Sequence, residues 1–197
     1  MGGDISAPIN VNDYGRGFIM NAAKIFVMAI LIALIPVKTS ASGFVADISP
    51  AEFSARYTKA VQYMMDSFGS KAAMDYSYFL IKDVFKDREH NGYFAYINED
   101  YDHKQMNAIV MYAQDNAGKA GITGFLILAE ANVPDRLNKL YIETVLSLMS
   151  IGAKSANIDE VEKIVKCSKG TYKFYDSSLN RNIYLTAEDY AIKIYTD

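Results

Sequence analysis

A single cysteine, Cys167, stands in the 197 residues, so no intramolecular disulfide can brace the chain and none follows an apolar run to accept a lipid. There are only two histidines, His90 and His103, and no tryptophan. Neither histidine belongs to an HExxH pair, and the calcium-loop spacing, the phosphate loop and the GxSxG elbow are missing. Positive charge is not in excess. A net charge of −3 argues against nucleic acid or an anionic membrane surface as the main partner. No apolar stretch reaches the roughly 20 residues that a helix needs to cross a ~30 Å hydrocarbon core. Internal repeats, low-complexity tracts and linkers are absent too, so nothing divides the chain after its first 41 residues.

What is present begins with Ile25 to Val37, IFVMAILIALIPV, 13 apolar residues preceded by Lys24 and followed by the small-residue run Thr39, Ser40, Ala41, Ser42, Gly43. Charged, apolar and cleavable segments in that order are the pattern of a secretory signal peptide. Small side chains at the −3 and −1 positions suit the peptidase, which makes Thr39 with Ala41, or Ala41 with Gly43, the candidate cleavage pairs. The 19 residues before Met20 are mostly polar and carry Asp4 and Asp13, whereas MNAAK from Met20 is an ordinary short n-region. Gly15-Arg16-Gly17 is also encodable as a purine-rich ribosome-binding sequence, so Met20 is the expected true start. The expected organisation is an N-terminal extension and signal peptide over 1–41 and one exported domain over 42–197. Removing the first segment takes away three cations and two anions and moves the net charge from −3 to −4. The expected location is periplasmic or secreted, with the membrane met only transiently through the signal segment.

The mature part reads as a helix, a run of strands, two helices and more strands. Ser49-Pro50-Ala51-Glu52 is a helix start with a cap, a proline at the first position and a capping-box glutamate. Phe53, Tyr57, Ala60, Val61, Met64 and Phe68 then recur at spacings of three and four, up to Gly69. From Tyr76 the period becomes two. Tyr78–Phe85, Tyr93–Ile97, Ala108–Ala113 and Ile122–Ala129 are predicted as strands of a meander, the last of them central. Pro134 and Asp135 open a second helix with Leu137, Leu140, Tyr141, Val145 and Leu148 on one face, ending at Gly152. A third starts at Asn157, its Val161, Ile164 and Val165 facing inward, and Cys167 is expected as a half-buried small residue at its end. Strands follow at Thr171–Tyr175, Ile183–Leu185 and Tyr190–Tyr195. Strands without regular strand–helix alternation predict an α+β fold. The expected sheet is antiparallel, of six to seven strands, covered on one face by about three helices.

No stretch specifies a reaction. Asp87, Glu89 and His90 in one loop and Glu99, Asp100, Asp102 and His103 in another carry the residue types of a divalent-metal site, with His90, His103 and Asp102 the nearest to a ligand set. The strand between the loops spans roughly 17 Å, which keeps them apart, so two solvated acidic loops are expected, with no metal and no cofactor.

Tyrosine is the abundant aromatic, with 15 copies. Tyr172, Tyr175, Tyr184, Tyr190 and Tyr195 crowd the last strands. Strand propensity accounts for such enrichment, but a tyrosine also brings apolar area and a hydroxyl at low entropy cost, as recognition surfaces require. These five are therefore the candidate binding residues, for a protein partner or a small ligand. The expected function is non-catalytic binding by an exported protein, and the alternative is a small secreted or periplasmic hydrolase using the histidines and neighbouring acids.

Overall fold

The computed structural model describes residues 43–69, 75–87, 92–100, 105–116 and 119–197. The predicted signal segment lies outside them, as do His90, Asp102 and His103. Among the described residues no helix is long and apolar enough to cross a membrane.

Helix α1, Pro50–Phe68, starts where the sequence predicts. The Ser49 hydroxyl accepts a bond from the Glu52 amide at 3.1 Å, while the Glu52 carboxylate pairs with Arg56 at 2.6 Å rather than turning back to the cap. Phe53, Tyr57, Ala60, Val61 and Met64 form its buried face.

The predicted first strand needs a correction. Tyr76–Phe79 is a short 3₁₀ turn, capped by the Asp75 carboxylate accepting from the Ser77 amide at 2.9 Å, and Phe79 is buried in the core. A local cap outweighs the β-propensity of the aromatic run. The strand proper, β1, is Asp83–Asp87.

The chain continues through β2 (Gly92–Asp100), β3 (Gln105–Asn116) and β4 (Lys119–Ala129), then α2 (Arg136–Ser150) and α3 (Ile158–Cys167). It closes with β5 (Gly170–Asp176), β6 (Arg181–Glu188) and β7 (Ala191–Tyr195). All seven strands form one antiparallel sheet in the order β1-β2-β3-β4-β7-β6-β5, with β4 at its centre. The fold is α+β.

One face of the sheet carries the core. Ala95, Ile109, Met111, Phe125, Ile127, Ile192, Ile194, Ile183 and Leu185 pack against the buried faces of α1, α2 and α3. The rings of Phe53 and Phe125 meet at 4.8 Å. Helix α2 is buried more completely than one apolar face predicts. It touches both other helices as well as β4 and β7, so from Glu143 to Ser150 every side chain is buried. Thr144 and Ser150 manage this by bonding back to the Leu140 and Leu146 carbonyls at 2.7 and 2.6 Å.

Helix α3 is capped by Asn157, whose side-chain oxygen accepts from the Asp159 and Glu160 amides. Its last residue, Cys167, is exposed rather than half-buried, because Val161 and Val165 take the inward positions. The buried Asp176 ties the β5–β6 turn to the α2–α3 connection. One carboxylate oxygen accepts from the Ser178 and Leu179 amides, the other from those of Lys154 and Ser155 at 2.6 and 2.7 Å.

Candidate functional site: the open face of the sheet

Strand alternation puts every second side chain on the face away from the helices, and antiparallel pairing aligns these residues in rows across the sheet. One row runs through all seven strands: Thr171, Thr186, Lys193, Leu126, Val110, Phe94 and Phe85. Its neighbours on either side are Lys173–Tyr184–Tyr195–Gly124–Tyr112 and Glu188–Ala191–Leu128–Ala108–Tyr96–Asp83. The two halves of the face therefore differ in chemistry. Over β1 to β4 it is apolar and aromatic, and over β5 to β7 it is tyrosine interleaved with threonine and lysine.

On the apolar half, Phe85 stacks on Phe94 at 5.4 Å and on Tyr96 at 5.2 Å, while remaining 45% exposed. On the polar half, Tyr184 and Tyr195 stack at 5.2 Å with their planes 11° apart. The Lys173 ammonium lies over the Tyr184 ring at 4.9 Å. The Tyr184 hydroxyl donates to Asp197 at 3.2 Å, and Asn182 donates to the same carboxylate oxygen at 3.1 Å. The Asn182 bond first, and the Tyr184 bond after it, hold the Asp197 carboxyl below the usual carboxylate range. Glu188, bonded to Lys193 at 2.6 Å, holds that ammonium above its ordinary value.

Between the halves stands Gly124, with Tyr195 on one side in the row and Tyr112 on the other. A Cβ there would lie 3.3 Å from the Ile194 carbonyl oxygen. The missing side chain leaves a notch flanked by two tyrosine rings, each 39% exposed.

Six large hydrophobic side chains are exposed among the described residues, and four of them, Phe85, Tyr112, Tyr175 and Tyr195, project from this face. Of the five tyrosines singled out in the sequence, Tyr175, Tyr184 and Tyr195 are on it. Tyr172 is not. It pairs with Leu185 on the core side and its hydroxyl accepts from the Asn157 amide at 3.0 Å, so it steadies the start of α3. Tyr190 sits in the β6–β7 turn under the Arg136 guanidinium, 4.8 Å from the ring. The apolar half was not singled out in the sequence, because its strands are apolar on both faces.

Two other places have some of the features of a site. A shallow groove of about 450 Å³ beside β1 is lined by Ser54, Ala55, Thr58, Ile81, Lys82, Asp83 and Val84, which include one acid and no histidine. Inside the core, Glu143 accepts from the Asn107 amide, and its carboxyl is pushed well above the carboxylate range by burial. Tyr57, buried beside it, has its phenol raised by the same desolvation and then by Glu143. Among the described residues no group of three or more His, Cys, Asp or Glu side chains is placed to hold a metal ion. The chain matches no family model, no curated protein and no solved structure.

Proposed function

We propose that the mature chain, residues 42–197, is an exported binding protein without catalysis of its own, which presents the open face of its sheet to a protein partner in the periplasm or outside the cell. The observation that carries this reading is the gathering of Phe85, Tyr112, Tyr175 and Tyr195 on one uncovered face. Exposed aromatic side chains that share one sheet face offer a partner apolar area, and such surfaces mark interaction sites. An open sheet face suits a protein surface better than a small molecule, which needs an enclosing cleft. Tyr184 and Tyr195 are held by stacking on each other and by bonds to Asp197 and Thr186 respectively, so little entropy is lost when a partner arrives. Export is supported by the order of Lys24, Ile25–Val37 and the small residues to Gly43.

The test is capture from envelope extracts with wild type, Phe85→Ser, Tyr195→Ala and a His90→Ala/His103→Ala double variant, each checked by a melting curve. One species held by the wild type should be retained by the double-histidine variant and lost by both face variants, at about 2 kcal/mol per tyrosine or phenylalanine removed. Loss of function in the double-histidine variant alone would replace this reading with the hydrolase.

A further inference from the structure

The open face has a candidate cover within the chain itself. We propose that in the unprocessed chain the apolar run Ile25–Val37 lies across the β1–β4 half of this face, and that removal of residues 1–41 uncovers it. The inference concerns the face used above but requires no partner.

Three observations lead to it. The first is chemical match. The run contains no charged or hydrogen-bonding side chain, and the half-face built on Phe85, Phe94, Tyr96, Val110, Leu126 and Leu128 is apolar between Asp83 at its β1 edge and Gln114 at the end of β3. The tyrosine–threonine–lysine half over β5 to β7 would leave polar groups facing such a segment unpaired, which is costly.

The second is the point of entry. Phe44, at the start of the described chain, lies against β4 at Gly121, where a Cβ would sit 2.3 Å from its ring. Gly121 pairs with Gln114 and directly precedes the core residue Ile122, so alternation aims that Cβ to the side away from the helices. Phe44 is only 2% exposed, and Phe44, Val110 and Ala108 are buried yet lie outside the core cluster. Among the described residues no helix lies on their side of the sheet; α1, α2 and α3 all pack on the other. The described chain therefore begins beside the central strand, where Val45 and Ala46 bond to Ile122, with the Phe44 ring on the open side.

The third is reach. Residues 38–43 span up to about 20 Å when extended, and β4 and β1 are three strand spacings apart, or roughly 14 Å. Thirteen residues cover about 20 Å even at a helical rise, enough to cross those four strands. A second copy of the chain would offer a matching surface as well, but a tether of six residues holds the run at millimolar effective concentration, which a dilute partner molecule does not reach.

The experiment compares the full chain 1–197 with the chain 42–197, which holds every core residue among the described residues. Both carry Cys167→Ser and Phe85→Cys, and the rate of thiol labelling is read in dilute, detergent-free buffer. Labelling should be about tenfold slower in the full chain, as expected for a cover closed roughly nine-tenths of the time. A Leu31→Asp/Leu34→Asp variant of the full chain should regain the fast rate. Thiols placed by Thr171→Cys, on the polar half, should label alike in both lengths. Equal rates at Phe85→Cys in the two lengths would overturn the proposal. Protection that disappears on dilution would also overturn it, by assigning the cover to a second copy. No partner enters the measurement, so its failure would leave the proposed function standing.

Discussion

The Asn107 side-chain amide on β3 donates to the Glu143 carboxyl on α2 in the middle of the core, where neither residue reaches solvent. The same amide reaches the Tyr78 hydroxyl at 3.3 Å, and Lys139 lies over the Tyr78 ring at 3.9 Å. The sheet and its central helix are thus joined by a buried acid whose second oxygen has no partner among the described residues. Burial raises its pKa more than the Asn107 bond and the Lys139 charge lower it, which favours the neutral acid.

Stability should therefore depend on pH through this one residue. Its folded pKa is raised above the unfolded value of about 4.5, so the contribution is fully present below that pH. It is then lost at about 1.4 kcal/mol per pH unit as pH rises towards the folded value. Glu143→Gln keeps the shape and removes the proton. Urea unfolding at several pH values should show a flatter profile for the variant and a higher stability than wild type at neutral pH. Parallel profiles would mean that Glu143 is ionised in the fold.

Tyr57 gives a contrast between two kinds of buried aromatic. Its hydroxyl is buried without a hydrogen-bond partner among the described residues, so Tyr57→Phe should be neutral or stabilising by up to about 1 kcal/mol. Phe53→Ala, one turn away in the same core, should cost about 3 kcal/mol or more through lost transfer energy and the cavity left against Phe125. Denaturant midpoints of the two variants measure both effects. A loss above about 1 kcal/mol in Tyr57→Phe would show that the phenol is bonded.

The Asp176 carboxylate should matter more than any surface ion pair. Asp176→Ala leaves the amides of Lys154, Ser155, Ser178 and Leu179 without their acceptor, a loss of about 3 kcal/mol or more. Asp176→Asn keeps one acceptor oxygen and should fall between that variant and wild type in thermal unfolding. Breaking the exposed Lys193–Glu188 pair by Glu188→Gln should change little by comparison.

Local signals in the sequence carried most of the fold. Ser49 and Asn157 announce α1 and α3 through caps that need no tertiary context, and the change of period marks where helices give way to strands. The Tyr76–Phe79 turn was missed because its three aromatic residues outweigh one capping aspartate in a propensity reading. Burial all round α2 was not legible either. Glu143, Thr144, Ser147 and Ser150 look like a solvated face until α1 and α3 are seen to flank the helix.

The open face was legible in part, for a physical reason. In β5 and β6 alternation separates residues such as Tyr184 and Tyr175 cleanly from the core positions Ile183 and Phe174. In β2 to β4 both faces are apolar, so period alone does not say that Phe94 and Leu126 point away from the helices while Ala95 and Phe125 point towards them. Tyr172 shows the opposite failure, a tyrosine picked for its neighbourhood that turns out to hold the start of α3.

Crosslinking from single positions in living cells tests the central claim most directly. A photoreactive phenylalanine would replace Phe85 or Tyr195 on the open face, or Lys163 on the outer side of α3, and products of the processed chain would be compared. The account predicts one and the same crosslinked protein from both face positions and none from Lys163. A product from Lys163 alone, or none from either face position while the variants remain folded and exported, would contradict it.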